Sequence, residues 1–209
     1  MQRLFAKVNS FTAQKPLELS EMFTLTRPTE AKLKTFLVEQ KTLPLSYDEV
    51  GATHPEHLDI PSGYTKDHMR LYLGQGRALF EEACRLVSLW HMYEQKWLEL
   101  YPKPPKIDEG TVGCVAAKHL GFYSVSSFKV IYHLDEEERF AFAIGTLPGH
   151  VERGEERFMV EHSGSDAVWL DILAFSRPGQ PLVKLGAPFA RLMQRRFAMG
   201  VQKVFLASL

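Results

Sequence analysis

Between Val112 and Phe175 apolar side chains recur largely at every second position, and from Leu182 to Phe205 they recur at every third or fourth. A chain that changes period in this order buries both apolar sets most simply by laying a long helix against a sheet. The strand candidates are 112–118, 128–134, 140–146, 157–162 and 168–175, with turn-forming segments at Asp135–Glu138 and Ser163–Asp166. Successive antiparallel pairing is the simplest arrangement of these strands.

Upstream, Met69–Leu73 reads as a short strand feeding a helix, in which Ala78, Leu79, Ala83, Leu86, Val87 and Trp90 fall at helical spacing. Thr29 is placed to cap another short helix over Leu33, Phe36 and Leu37, ending near Gln40. The segment from Leu43 to Pro61 holds Pro44, Gly51 and Pro55 and is expected as an ordered loop over the core. Trp97–Leu100 is a short apolar segment closed by Pro102, Pro104 and Pro105. In the C-terminal helix, Leu182, Leu185, Phe189, Met193, Phe197 and Val201 mark the apolar face, to which Leu192, Val204 and Phe205 also belong. Pro188 either kinks this helix or opens its main section. The expected fold is α+β: a helix-grip domain over residues 28–209, in which a curved antiparallel sheet wraps around the long C-terminal helix. Residues 1–27 are read as an N-terminal extension. The gap between sheet and helix is then either filled by large side chains or left as a ligand pocket.

Composition narrows the function classes. The 209 residues include 45% hydrophobic residues, enough for one sizeable core, and 25 basic side chains balance 25 acidic ones. That balance argues against nucleic acid as a partner, and the outer helix face with Arg191, Arg195 and Lys203 reads as a solvated face. No apolar run approaches the roughly 20 residues that span a bilayer, so a soluble protein without stable membrane insertion is expected. Cys84 and Cys114 form no CxxC pair and lie among apolar residues, which reads as free thiols in a reducing, cytoplasmic setting. The chain carries no GxxxxGK, GxSxG or GxGxxG motif.

The segment Gly145–Phe158, GTLPGHVERGEERF, concentrates glycines, a proline, a histidine and three carboxylates between two strand candidates. It reads as an elaborated loop, since a hairpin turn needs only about two to five residues. His150 is a candidate general base oriented by Glu152 or Glu155, with a hydrogen bond from His150 to the loop backbone as the structural alternative. His-x-Glu-x-x-Glu lacks a second histidine at metal-ligand spacing, so no metal and no cofactor is expected. Asp171 is an isolated charge in the apolar strand WLDILAF and shares a face with Trp169, Leu173 and Phe175. On a cavity-lining face it would be a general acid or ligand anchor; otherwise it pairs with Arg177 or Arg157. Tyr47, Tyr123, Thr146 and Arg177 complete the candidates as ligand-binding groups, each with a packing or ion-pairing alternative.

The strings LPLSYDEVGAT, GTLPGHVERGEERF and WLDILAFSRP, followed by LVKLGAPFARLMQRRF, resemble an uncharacterised bacterial and plant family, a domain of unknown function near the START and birch-pollen-allergen-like superfamily. The resemblance spans roughly Phe23 to Leu206 and implies a cavity for apolar molecules beneath the long helix; some members of the superfamily are cyclases or hydrolases. Members of the family often carry a tyrosine where Ile144 stands, so a phenol role at that position is absent here. Three functions therefore remain open: a binding protein for an apolar or amphipathic small molecule, an acid/base lyase, cyclase or hydrolase using His150 with Glu152 or Glu155, and a protein-interaction domain. The fold carries the first of these by analogy only.

Overall fold

The computed structural model describes residues 22–103, 105–179 and 187–209. The elements run β1 (Phe23–Thr24), α1 (Glu30–Lys41), β2 (Thr65–Gln75), α2 (Arg77–Ser88), a 3-10 turn (His91–Tyr93), β3 (Leu98–Tyr101), β4 (Val112–Lys118), β5 (Tyr123–Asp135), β6 (Arg139–Thr146), β7 (Glu152–His162), β8 (Ala167–Pro178) and α3 (Ala187–Ser208). Among the described residues one antiparallel sheet holds the strands in the order β2-β8-β7-β6-β5-β4-β3, with β1 paired to β5. Neighbours in sequence are therefore neighbours in space from β3 to β8. The chain's first long strand closes the far edge by pairing with its last.

The pleat sorts the side chains into two layers. On the inner face Phe128, Val130, Phe142, Phe158, Val160 and Leu170 join α2 and the Val201 and Phe205 end of α3 in the main core. On the outer face Cys114, Ala116 and Val125 pack against Leu33 and Phe36 of α1. Register shifts at Tyr72/Gly74 in β2 and Val130/Tyr132 in β5 are bulges, which bend their strands. This is the expected helix-grip arrangement. Thr29 caps α1, its hydroxyl accepting from the Lys32 amide at 3.3 Å. Pro188 falls in the first turn of α3, where its missing N–H breaks no intrahelical bond; Leu182 and Leu185 lie outside the described residues. Leu192, expected on the apolar face of α3, is 57% exposed.

Three elements differ from the sequence reading. Trp90 stands outside α2: it is left-handed at φ 59°, buried, and donates its indole N–H to the Pro105 carbonyl at 2.9 Å. Its periodic spacing reflects burial in the same core, while the backbone has already left the helix. The end of the presumed N-terminal extension is part of the sheet, since Phe23 and Thr24 pair with Ser124 and Tyr123, and Arg27 is bonded to Glu99 at 2.7 Å. The remainder of that extension, residues 1–21, lies outside the described residues.

The third difference concerns GTLPGHVERGEERF. The β6–β7 connection is only Leu147–Val151, and Glu152–Phe158 already belongs to β7, paired with β8 as far as Glu152 opposite Pro178. Two glycines explain why a strand carries a loop's composition. Gly154 has φ +153°, and a Cβ there would overlap the Phe175 carbonyl oxygen of β8. Gly149 sits against Phe36 and Gln40 of α1, where its amide donates to Gln40 Oε1 at 2.8 Å. The Gly154→Ala variant should therefore lose about 1–3 kcal/mol of stability, a value typical of a strained backbone position. Urea denaturation checks this, and a variant as stable as the parent would refute the close-approach argument.

Candidate functional site

Between the inner sheet face and α3 lies a cavity of about 960 Å³, at the upper end of the range for small-molecule sites. Its polarity changes across the sheet. From β3, β4, β5 and β6 come Leu98, Val115, Ala117, Phe128 and Ile144, and α3 supplies Phe189, Met193 and Phe197. From β2, β7 and β8 come Asp67, Glu152, Glu156 and Ser176, facing Arg191 and Gln194 of α3.

The polar side is organised by α3. Arg191 donates to both carboxylate oxygens of Asp67 at 2.8 and 2.9 Å and to Gln194 Oε1 at 3.0 Å. Gln194 passes its own N–H groups to Glu152 at 3.1 Å and to the Ser176 hydroxyl at 3.4 Å. A relay of hydrogen bonds thus ties the first turns of α3 to β2, β7 and β8. Burial raises the pKa of Glu152, partly offset by Gln194 and Arg191. Glu156, two pleats along the same face, has no such help. Partly buried, with its remaining surface turned to the cavity, it accepts no hydrogen bond from any described residue. Burial first, then the nearby Glu152 and Asp67 charges, push its carboxyl up to about 8. The phenol of Tyr93, which also lines the cavity, is raised well above its ordinary range by burial and by Glu156.

His150 lines the cavity from the β6–β7 turn. Its Nδ1 lies 2.9 Å from the Glu152 amide nitrogen and 3.0 Å from the Glu152 carbonyl oxygen, so the turn backbone engages it in either tautomer. Burial pushes the ring pKa down to about 4, so the imidazole is neutral. Neither carboxylate expected to orient it does so. Glu152 is engaged by Gln194, and Glu155 points to the opposite face of β7. The expectation of a carboxylate-oriented base thus gives way to the backbone-bonded alternative, because the pleat sends Glu155 outward and the tight turn offers His150 an amide first.

On the outer face the loop before β2 folds over a second polar group. Glu155 accepts from the Tyr47 hydroxyl at 2.7 Å, the Gly51 amide at 2.7 Å, the Thr53 amide at 3.0 Å and the Thr53 hydroxyl. Arg157, its neighbour on the same face, donates to the Thr53 carbonyl at 2.8 Å and to Asp171 at 2.6 Å. Asp171 is 2% exposed and is also bonded to His68 at 2.8 Å. The alternation that groups Asp171 with Trp169, Leu173 and Phe175 describes the outer face, and Arg157 is the partner, while Arg177 lies over the Tyr64 ring at 4.4 Å.

Of the residues singled out in the sequence, His150, Glu152 and Thr146 meet at the cavity, and the Thr146 hydroxyl accepts the Gly154 amide at 2.9 Å. The Tyr47 hydroxyl and the carboxylates of Glu155 and Asp171 are joined on the other face, where Arg177 is exposed; Tyr123 pairs with Thr24 and Lys118 at the edge of both layers. Sequence reasoning missed Asp67, Glu156, Arg191 and Gln194 as cavity groups. Glu-x-Gly-x-Glu at 152–156 has the period-two signal that would have found Glu156, had the strand been extended back through Gly154. Among the described residues no cluster of histidine, cysteine, aspartate and glutamate is arranged to hold a metal ion.

Two stability effects follow. Removing the Asp171 carboxylate in Asp171→Ala leaves the buried Arg157 uncompensated, which should cost about 3–5 kcal/mol in a denaturation experiment without altering cavity binding. For Glu156 the folded pKa lies above the unfolded one, so the stability it permits is full at low pH and is lost as pH rises toward about 8. His150, with its folded pKa lowered, acts oppositely and only below its unfolded value near 6.5. Between pH 6.5 and 8.5 the Glu156 effect stands clear. Stability should fall across that window, and Glu156→Gln should flatten the fall, gaining on the order of 1–3 kcal/mol at pH 8.5; parallel pH profiles for the two proteins would refute the assignment.

A UPF0548 protein of Deinococcus radiodurans is 33% identical over 191 residues, covering 85% of this chain and 93% of that protein. Among solved structures, human STARD10 aligns with 12% identity and a TM-score of 0.40 over 86% of this chain and 82% of its own. Ara h 8.0201 aligns with 13% identity and a TM-score of 0.42 over 69% of this chain and 99% of its own. Residues 46–203 match the family model described as Domain of unknown function (DUF1990), and the chain belongs to that family.

Proposed function

We propose that the protein binds an amphipathic small molecule in the cavity under α3, with its apolar body toward β3, β4 and β5 and its polar end toward β7, β8 and β2. The observation that carries this reading is the cavity itself: about 960 Å³ with one apolar side and one side of convergent polar groups. Interiors ordinarily close-pack, and an apolar sheet face left uncovered beneath a helix forfeits contacts that a ligand would restore. The face of α3 over the cavity includes Ala190 and Ala198, whose small side chains keep the space open.

An acid/base role for His150 has less support, since its Nδ1 is engaged by the turn backbone and burial lowers its pKa, which weakens it as a base. We further place the protein in a reducing, cytoplasmic compartment. Cys84 packs beside the inner core and Cys114 in the outer one, both free, and burial pushes both thiols up to about 12, as suits inert packing residues.

Uptake of N-phenyl-1-naphthylamine, followed by its fluorescence, tests the binding reading. The native protein should take up the probe, and Ala198→Trp, which fills the cavity from the helix side, should weaken uptake at least about tenfold, or 1.4 kcal/mol, with little change in Tm. Absence of uptake, or uptake indifferent to the filled cavity, would refute the reading.

A further inference from the structure

Glu155 and Glu156 are adjacent on β7 and are treated in opposite ways. Glu155 is bonded by Tyr47, Gly51 and Thr53 in a closed structural site. Glu156 is partly buried, faces the cavity, and has no hydrogen-bond partner among the described residues. A carboxylate in that position is unfavourable unless something completes it. Its surroundings say what kind of group is missing. Glu152 on the same strand and Asp67 on β2 make the potential at Glu156 negative. Of the two arginines on the cavity wall, Arg191 is held by Asp67 and Arg195 is exposed, while His68 is bonded to Asp171 and His119 to the Ser124 hydroxyl. Tyr93 from the 3-10 turn and His150 from the β6–β7 turn are neutral. No described cation reaches Glu156.

We infer that the molecule bound in this cavity carries a positively charged amine, seated at Glu156 and Glu152 with its apolar part across the sheet toward β4 and β5. The inference rests on the proposed binding role of the cavity and names the chemical class of its ligand. A ligand offering only a carbonyl or hydroxyl could accept a bond from protonated Glu156, but it would add no counter-charge for the three carboxylates beyond that of Arg191. An ammonium relieves that field and supplies donors to the carboxylates in charge-assisted hydrogen bonds. An anionic head group would meet it unfavourably.

Displacement of bound N-phenyl-1-naphthylamine by octylamine, octanol and octanoate tests this, because the three share one apolar chain and differ in head-group charge. At pH 8 octylamine should displace the probe at concentrations at least about tenfold lower than octanol, a modest return for one charge-assisted contact, and octanoate should be the weakest. The advantage of octylamine should shrink at pH 6, since a cation binds best once Glu156 has lost its proton. Glu156→Gln should bring octylamine to within about threefold of octanol. Octylamine no better than octanol, or an advantage that survives Glu156→Gln, would overturn the amine inference and leave the cavity's binding role standing. If none of the three displaces the probe and the probe itself does not bind, both readings fall together.

Discussion

Pleating turns successive side chains of β7 to opposite faces, so the run Glu152 to Arg157 distributes its charges between two environments. Outward, Glu155 and Arg157 bind Tyr47, Thr53 and Asp171 and fasten the loop before β2 to the sheet. Inward, Glu152 and Glu156 face the cavity. Buried charges in a sheet are tolerable only when paired or when they border space that something else can enter. The outer set shows the first solution and the inner set the second. A shift of one residue in the β7 register would exchange them, placing Arg157 in the cavity and Glu156 under the loop. Gly154 makes the register specific, because the approach of the Phe175 carbonyl is available to a glycine at that one place.

The same division explains why α3 spans the sheet without closing on it. Its C-terminal half is buried through Val201 and Phe205, and Gln95 holds its middle by donating to the Phe197 carbonyl at 3.2 Å. Its first turns are held at a distance by polar side chains, with Arg191 reaching Asp67 and Gln194 reaching Glu152. Long polar contacts keep the backbones apart where apolar side chains would draw them together. The cavity is thus a consequence of how the helix is anchored at one end by packing and at the other by a hydrogen-bonded relay.

Local patterns were legible wherever the physics is local. Val112–Lys118 is a strand with the bounds that alternation gives, Thr29 caps α1, and the two hairpin turns at 135–138 and 163–166 stand where charge and glycine clusters put them. Asp171 could be recognised as needing a partner, and Arg157 was one of two named. What was hidden depends on pairing between distant segments. Gly154 reads as a loop residue until β8 is known to lie against it, and Trp90 reads as helical because its burial period outlasts the helix. Asp67, Arg191 and Gln194 sit on three unremarkable surface patterns that only the closure of β2 against β8 brings together.

The unpartnered carboxyl also accounts for how such a cavity can exist without its ligand. Were Glu156 ionised in the empty protein, its charge would be repelled by those of Glu152 on the same strand and Asp67 on β2. Held near a pKa of about 8, it is mostly protonated at neutral pH, and the neutral acid imposes a far smaller desolvation cost. Glu156 is then tolerated in the empty protein and gives up its proton as a cation enters. Entry of a cation and departure of the Glu156 proton are linked events, so the group that tolerates the empty state is the same one that would recognise the occupied state. His150 takes no part in that exchange, because its ring is already neutral and its Nδ1 is bound to the turn.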